Sequence, residues 1–261
     1  MKKILFLIII FPFLLSCVIV IENPVGPPTF RAYKSYHKEV SFKSGNMICI
    51  RNGFGDIEIQ GWDEEKVEVV ATISPRLAYK RRAYFYEINR NSPKIKLDEF
   101  EDFLKIETEY RGIPEEEFLV DYSLNVPHFV IVEEINNVEG DIFISDIYGE
   151  ISVELVRGDV RVENFSGSLN ISVEEGLIKT TLHDLREDDQ IRITDKKGDI
   201  IVFLEPEADF LIDAKTPNGR IECEFLVKKS SCDKELKYKV GKGGAILSLI
   251  TFDGNIEIRK L

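Results

Sequence analysis

The chain has 261 residues, 46 of them acidic and 34 basic, and its net charge at neutral pH is −12. A surface of this charge repels nucleic acid phosphates and anionic lipid headgroups, which argues against nucleic acid as a partner. No apolar run after residue 21 approaches membrane-spanning length, so any membrane element is expected at the N-terminus.

The N-terminal segment has the layout of an export signal. Lys2 and Lys3 precede an uncharged apolar run that ends in Leu-Leu-Ser-Cys at 14–17. This ending resembles the lipobox of bacterial lipoproteins, in which the signal peptide is cut before the cysteine and the cysteine is acylated. The resemblance implies a signal peptide over 1–16, a lipid attached to Cys17 and stable anchoring to a membrane.

Two other interpretations of this segment stay open. Cys17 can be an ordinary residue at the end of a signal peptide, or residues 4–21 can be an uncleaved membrane span, since these 18 residues carry no charge. All three alternatives export the rest of the chain to the cell envelope, on the periplasmic side or the outer surface.

Residues 17–39 read as a tether, because Pro24, Pro27 and Pro28 keep such a segment extended and semi-rigid. Residues 40–261 are expected to form a single β-solenoid domain, since no polar linker divides them. An all-β unit of this size is acceptable as one domain.

The N-terminal half of this domain alternates apolar and polar residues as strands do. Such segments occur at 47–50, 55–63, 67–73, 94–97, 103–110 and 118–127, with 94–97 and 103–110 expected to be antiparallel. Residues 77–88 fit a short amphipathic helix as well as a strand. They carry Tyr79, Tyr84 and Tyr86, a candidate binding surface because tyrosine rings stack on sugars.

Five glycines then recur every nine residues, at 140, 149, 158, 167 and 176. The second and fourth residues after each are aliphatic, with one exception: Ile142/Ile144, Ile151/Val153, Val160/Val162, Leu169/Ile171 and Ile178/Thr180. The seventh is apolar in the first three units, as Ile147, Val156 and Phe165. Period-two alternation places the aliphatic pairs on one inward face, and each glycine is expected to supply a turn conformation.

A unit repeated at so short a period is typical of a solenoid, because one unit cannot bury its apolar face alone. Gly198 and Gly219 continue the series at about two units each, and Gly254 is expected to close it. A coil of about 18–22 residues fits a β-helix better than a propeller blade of about 40–45.

The combination of motifs resembles the bacterial "putative adhesin" domains of unknown function. It consists of Gly-Asp-Ile-Glu-Ile at 55–59 with Gly-Trp-Asp at 61–63, Tyr-Ser-Leu-Asn-Val-Pro at 122–127, and Gly-Asp-Ile/Val at 140, 158 and 198. The resemblance covers roughly 40–261 and implies an exported or membrane-anchored protein with a right-handed parallel β-helix. The fold class expected is therefore all-β, a right-handed parallel β-helix with a less regular antiparallel portion in the N-terminal half.

Four aspartates follow glycines at strand entrances: Asp56, Asp141, Asp159 and Asp199. Stacked, they could form a carboxylate row for calcium or acid catalysis. The interpretation favoured is that each Asp hydrogen-bonds the backbone of its own turn. Calcium-binding nonapeptides need G-G-x-G-x-D-x-U-x, and these units have a single glycine.

Other chemistry-bearing patterns are weak. Arg157-Gly158-Asp159 spells an integrin-binding tripeptide inside the repeat, where coincidence explains it better. His37, His128 and His183 share no ligand spacing, so no metal site is expected. Nucleophile, zinc-protease and phosphate-loop motifs are absent from the sequence, and no cofactor or catalytic residue is expected.

Export places the cysteines where disulfides persist. Cys223 and Cys232 flank the excursion at 227–231 and are expected to pair, with Cys49 buried and reduced.

The function expected is non-enzymatic: an envelope-anchored lipoprotein whose β-helix presents a surface for adhesion, binding or scaffolding of an envelope protein or glycan. The alternatives are a carbohydrate-active β-helix enzyme and an envelope-stress sensor or regulatory partner.

Overall fold

A computed structural model of the chain describes residues 34–76, 92–110, 117–226 and 234–261, together with the backbone of two short strands near the N-terminus. The described residues are all-β and contain no α-helix. The strands are β1 (Ile21–Glu22), β2 (Phe30–Arg31), β3 (Lys34–Ser41), β4 (Met47–Arg51), β5 (Ile57–Trp62), β6 (Lys66–Pro75), β7 (Lys94–Glu99), β8 (Phe103–Glu109), β9 (Phe118–Pro127), β10 (Ile131–Glu139), β11 (Ile142–Ser145), β12 (Tyr148–Arg157), β13 (Val160–Glu175), β14 (Ile178–Leu182), β15 (Gln190–Lys197), β16 (Ile200–Leu204), β17 (Phe210–Lys215), β18 (Ile221–Cys223), β19 (Glu235–Val240), β20 (Ala245–Asp253) and β21 (Ile256–Lys260).

Strands β3–β21 form one hydrogen-bonded network that divides into two sheets. Sheet I has the order β3-β6-β9-β5-β11-β13-β14-β16-β21-β18. Sheet II has the order β7-β8-β4-β10-β12-β13-β15-β20-β17-β19. The long strand β13 belongs to both, its N-terminal part to sheet I and its C-terminal part to sheet II.

The nine-residue period corresponds to half a coil, because the chain alternates between the sheets. In sheet I, Ile142 pairs in parallel with Val160 and Val160 with Ile178. In sheet II, Ile151 pairs with Leu169. Residues 18 apart therefore lie side by side, and the expected solenoid-like stacking of units is confirmed.

The core lies between the two sheets and contains the aliphatic residues that alternation assigns to the inside. Ile144, Val153 and Ile171 are 0% exposed, and Val162 is 1% exposed. Parallel strands of this kind stabilise one another only when their inward faces share a core, which the stacked half-coils provide.

The apolar seventh position is inward in alternate half-coils only, at Ile147 and Phe165 but not at Val156. In sheet I, Asp146 and Asn164 adopt left-handed φ angles of 60° and 47°, and this corner turns Ile147 and Phe165 into the core. Asp and Asn tolerate that conformation better than other residues with a Cβ. In sheet II, β12 continues without a corner, so Val156 points outward and is 41% exposed.

The coils do not stack in sequence order at either end. Strands β17 and β18 lie outside β20 and β21, which pair directly with β15 and β16. At the other end, β8 and β9 lie outside β4 and β5. The expectation that Gly219 follows Gly198 and that Gly254 closes the array is therefore wrong, because the coil of Gly254 lies between the other two.

Antiparallel strands flank the parallel stack. Sheet I ends in the antiparallel strands β9, β6 and β3, and sheet II begins with the antiparallel pair β7–β8. The antiparallel portion in the N-terminal half is thus present. A second one, the pair β17–β19 at the C-terminal end, was not predicted.

Candidate binding surface

A column of glycines runs along the turn that precedes the sheet I strands: Gly55, Gly140, Gly158, Gly176, Gly198, Gly254 and Gly219. A Cβ on each of the last six would lie 1.7–2.1 Å from the carbonyl oxygen of the preceding glycine in the column. Only some members have left-handed φ angles, among them Gly140 at +139°. The column therefore needs glycine because neighbouring coils approach closely, and the turn conformation expected from the sequence is a secondary reason.

An aspartate column lies beside the glycine column. The backbone N–H of Asp141 donates to Asp56 Oδ1 at 2.8 Å, that of Asp159 to Asp141 Oδ1 at 2.9 Å, and that of Leu177 to Asp159 Oδ1 at 2.8 Å. The expectation that each Asp bonds its own turn is wrong, since each carboxylate accepts from the next coil. These oxygens are consequently engaged in holding the stack together.

The outer face of sheet II carries a shallow groove of about 400 Å³ across β10, β12, β13 and β15. Two rows of side chains cross this groove, two residues apart along the strands. One row consists of Ser152, Asn170 and Arg192, and the other of Glu150, Ser168 and Gln190. Parallel strands about 4.8 Å apart present such side chains as a regular grid. The Asn170 amide donates to Ser152 Oγ at 3.2 Å, and the Gln190 N–H donates to Ser168 Oγ at 3.1 Å.

An apolar stripe continues this face beyond the groove. Ile246 pairs with Gln190 at the groove and is 49% exposed, and Phe252, further along β20, is 61% exposed. Ile250 lies between them on the same face. The outer face of sheet II thus combines hydroxyl and amide groups with an adjoining apolar surface.

One buried carboxylate was missed by sequence reasoning. Asp195 is 1% exposed, and its Oδ1 accepts the Lys197 N–H at 2.9 Å, while its buried Oδ2 has no hydrogen-bond partner in the described part of the chain. Burial raises the pKa of Asp195 to about 6, and the charge of Asp199 adds to this effect.

The same position carries a hydrogen-bond donor in three other coils, whereas the coils of β12 and β13 have Leu155 and Val173 there. Asn137, Thr251 and Thr216 donate to the carbonyl oxygens of Gly55, Gly198 and Gly254 at 2.9, 2.8 and 2.7 Å. An ionised aspartate has no proton to donate, whereas a protonated one does. Asp195 can therefore donate as Asn137, Thr251 and Thr216 do only when it is protonated.

Several site residues named from the sequence lie outside the described residues. These are Cys17, the tyrosines at 79, 84 and 86, and Cys232. Cys223 lies in β18 and is buried, and its pairing with Cys232 stays a prediction. Cys49 is buried, as expected, and its thiol contacts Glu134 Oε2 at 3.5 Å.

The polar groove was not identified from the sequence, although a signal is present. The third residue after Gly149 and Gly167 is Ser152 and Asn170, whereas the other units have Phe143, Arg161 and Lys179 there. Comparing only units that are 18 residues apart would have placed the uncharged polar residues Ser152 and Asn170 on the same sheet.

Among the described residues, no helix has the length and apolar character needed to span a bilayer.

These features define an all-β, solenoid-like protein whose candidate site is an open groove on a sheet face. Residues 132–259 match the family model described as Toastrack DUF4097. Over this segment the chain is therefore similar to the Toastrack DUF4097 family, and the adhesin-type domain of unknown function expected from the sequence is confirmed.

Solved structures similar to this chain share little sequence with it. A "putative cell adhesion protein" from Clostridium sporogenes is 16% identical, with 88% of this chain and 100% of that one covered and a TM-score of 0.49. A "putative adhesin" from Bacteroides fragilis is 12% identical, with coverages of 87% and 97% and a TM-score of 0.36. A "putative lipid binding protein" from Parabacteroides distasonis is 11% identical, with coverages of 87% and 96% and a TM-score of 0.31. No curated protein matches the chain.

Proposed function

We propose that this chain is a non-enzymatic binding protein of the cell envelope and that the outer face of sheet II is its binding surface. The observation that carries the proposal is the groove in which Ser152, Asn170 and Gln190 form a regular polar grid. Their hydroxyl and amide groups donate and accept hydrogen bonds without carrying charge, and the charged residues of the groove, Glu133, Glu150 and Arg192, can also hydrogen-bond hydroxyl groups. Such a grid on rigid strands suits a ligand that is itself rich in hydroxyl groups.

The ligand class that fits this face is a neutral glycan. Sugar rings present hydroxyl groups at their edges and C–H groups on their faces, and the groove adjoins an apolar stripe that ends in Phe252. The net charge of −12 disfavours polyanionic polysaccharides. A wide, shallow groove also suits an extended chain better than a small molecule, which is usually enclosed by its pocket.

The aspartate column does not supply the catalytic pair that the carbohydrate-active alternative requires. Glycoside hydrolysis needs two carboxyl groups that face the substrate and exchange protons with it. In the column, Asp56, Asp141 and Asp159 each use an oxygen to accept a backbone N–H of the next coil. A row that could have served acid catalysis is instead part of the structure that joins the coils.

We further propose that Cys17 carries a lipid that anchors residues 40–261 to a membrane of the envelope, and that the coils wind in the right-handed sense. The Leu-Leu-Ser-Cys motif at 14–17 supports the anchor. Nearly all strand–crossover–parallel-strand connections are right-handed, which supports the handedness. Cells expressing Cys17→Ala should incorporate no labelled fatty acid into this protein, and unchanged labelling would contradict the anchor.

The binding proposal is tested with the purified full-length chain in detergent. Immobilised protein is exposed to a panel of neutral and anionic envelope glycans, and bound glycan is measured for wild type, Ser152→Arg and Thr181→Arg. Ser152 and Thr181 are both half-buried, outward residues of parallel strands, but Ser152 lies in the groove and Thr181 on sheet I.

Ser152→Arg should abolish binding of a neutral glycan, because a long cation fills the groove, while Thr181→Arg should bind as wild type. Equal losses in both variants, or binding of no glycan at all, would contradict the proposal. Capture of an envelope protein in place of a glycan would favour the regulatory alternative.

A further inference from the structure

The antiparallel pair β3–β6 brings three metal-ligating side chains together on the outer face of sheet I. Glu39 lies directly opposite Glu68, and His37 is two residues from Glu39 on the same face of β3. His37 Nε2 is 2.9 Å from Glu68 Oε1, and one ligand atom from each of the three residues lies within 4.8 Å of the other two. The cluster combines one imidazole with two carboxylates.

Glu68 is held in place by a residue outside the cluster. The amide of Asn125, on the neighbouring strand β9, donates to Glu68 Oε2 at 2.9 Å. Hydrogen bonds from Asn125 and from His37 therefore orient the Glu68 carboxylate. Metal ligands are commonly oriented in this way by a hydrogen-bonded partner behind them.

We propose that His37, Glu39 and Glu68 form a binding site for a divalent transition-metal ion of the Zn²⁺ type. Ligands about 2.0–2.2 Å from one ion lie within about 4.4 Å of each other, so only a small side-chain adjustment is needed to close the cluster. The imidazole selects Zn²⁺ over Ca²⁺ and Mg²⁺, which take oxygen ligands. His37 and Glu39 are about half exposed, which leaves coordination positions open to water.

One residue competes with the ion for a ligand. Lys66 Nζ lies 3.1 Å from Glu39 Oε1 and also 5.2 Å from the centre of the Trp62 ring. A bound cation and the ammonium group both need the Glu39 carboxylate, so metal binding displaces Lys66 toward Trp62. Removing the ammonium should therefore strengthen metal binding, whereas loss of a surface lysine has little effect on folding.

The site is tested by titrating Zn²⁺ into the chelator-treated full-length protein in a calorimeter, with Ca²⁺ titrated in parallel. One Zn²⁺ should bind at this site and Ca²⁺ should not compete with it. Asn125→Ala should weaken Zn²⁺ binding about 10- to 100-fold, the usual effect of losing an outer-shell partner, and His37→Gln should weaken it further. Lys66→Met should tighten it.

The matched control is His183→Gln. His183 Nδ1 lies 3.4 Å from Glu205 Oε1, and no third ligand joins this pair among the described residues. This variant should bind Zn²⁺ as wild type does, and metal-free thermal unfolding should show that each variant folds. Wild-type affinity in His37→Gln, or equal losses in His37→Gln and His183→Gln, would overturn the assignment.

Discussion

Glycine can be required in the glycine column for two reasons, close approach of neighbouring coils or turn conformation, and two substitutions distinguish them. Gly176 has no left-handed φ angle, but a Cβ there would lie 1.8 Å from the carbonyl oxygen of Gly158. Gly45 is the reverse case, with a φ of +86° and nothing within 4 Å of a Cβ. Gly176→Ala and Gly45→Ala therefore add the same methyl group but destabilise the fold for different physical reasons.

The cost of Gly176→Ala follows from the hydrogen bonds that join the two coils there. Ordinary van der Waals contact begins at 3.4 Å, so the coils must separate by more than an ångström or the turn must distort. Three hydrogen bonds cross this gap, from the N–H groups of Gly158, Val160 and Leu177, with lengths of 2.8–3.0 Å. At about 1–1.5 kcal/mol each, the loss of all three amounts to about 3–4.5 kcal/mol.

Gly45→Ala should cost only about 1–2 kcal/mol, the usual penalty for a side chain in the left-handed region. The assay is chemical denaturation of both full-length variants against wild type, followed by far-UV circular dichroism. Gly176→Ala should shift the midpoint at least twice as far as Gly45→Ala. A larger shift for Gly45→Ala would mean that the glycines are needed for their turns and that the coils do not approach as described.

Three further predictions concern the core, a buried carboxylate and the cysteines. Ile171→Asp should lower the free energy of unfolding by about 4 kcal/mol or more, because it buries an unpaired charge. Asn170→Asp on the outer face should lower it by under about 1 kcal/mol. Equal urea midpoints for the two variants would contradict the inward register. Because the pKa of Asp195 is raised to about 6 in the folded chain, ionisation of this group lowers stability as pH rises from about 4 to 6, by up to about 3 kcal/mol. Asp195→Asn should therefore unfold at a higher denaturant concentration than wild type at pH 8 and should lose this pH dependence of stability. A pH dependence equal to that of wild type would refute the role given to Asp195. Cys223 and Cys232 should both resist thiol labelling in the denatured, unreduced chain, and labelling of both would exclude their disulfide.

The inward residues could be predicted because alternation in a strand depends only on the local backbone. Ile144 and Val153 follow their glycines at the same offset, and both are fully buried. The exposure of Val156 could have been anticipated from the sixth position, which is Asp146 or Asn164 in sheet I units and Leu155 or Val173 in sheet II units. Only Asp and Asn at this position support the left-handed corner.

The order of the end coils could not be predicted, because no local feature decides which strand stacks on β15 and β16. Residues 210–223 and 245–260 both have inward aliphatic residues at period two. Selection between them depends on packing against the finished stack. The His37–Glu39–Glu68 cluster was missed for a similar reason, since its third member comes from a strand paired across the sheet.

The parallel register of 18 residues is the central claim, because the polar groove, the glycine column and the aspartate column all depend on it. Ser152 and Asn170 are register partners in β12 and β13, and their side chains are 3.2 Å apart. Cα atoms at strand spacing fall within the range that a disulfide spans.

The most direct test is oxidation of the double variant Ser152→Cys/Asn170→Cys, with the cross-link mapped by mass spectrometry. The control is Ser152→Cys/Arg161→Cys, whose positions are nine residues apart and lie on different sheets. The 18-residue pair should cross-link efficiently within one chain and the nine-residue pair should not. A cross-link in the nine-residue pair, with none in the 18-residue pair, would contradict the two-sheet stack.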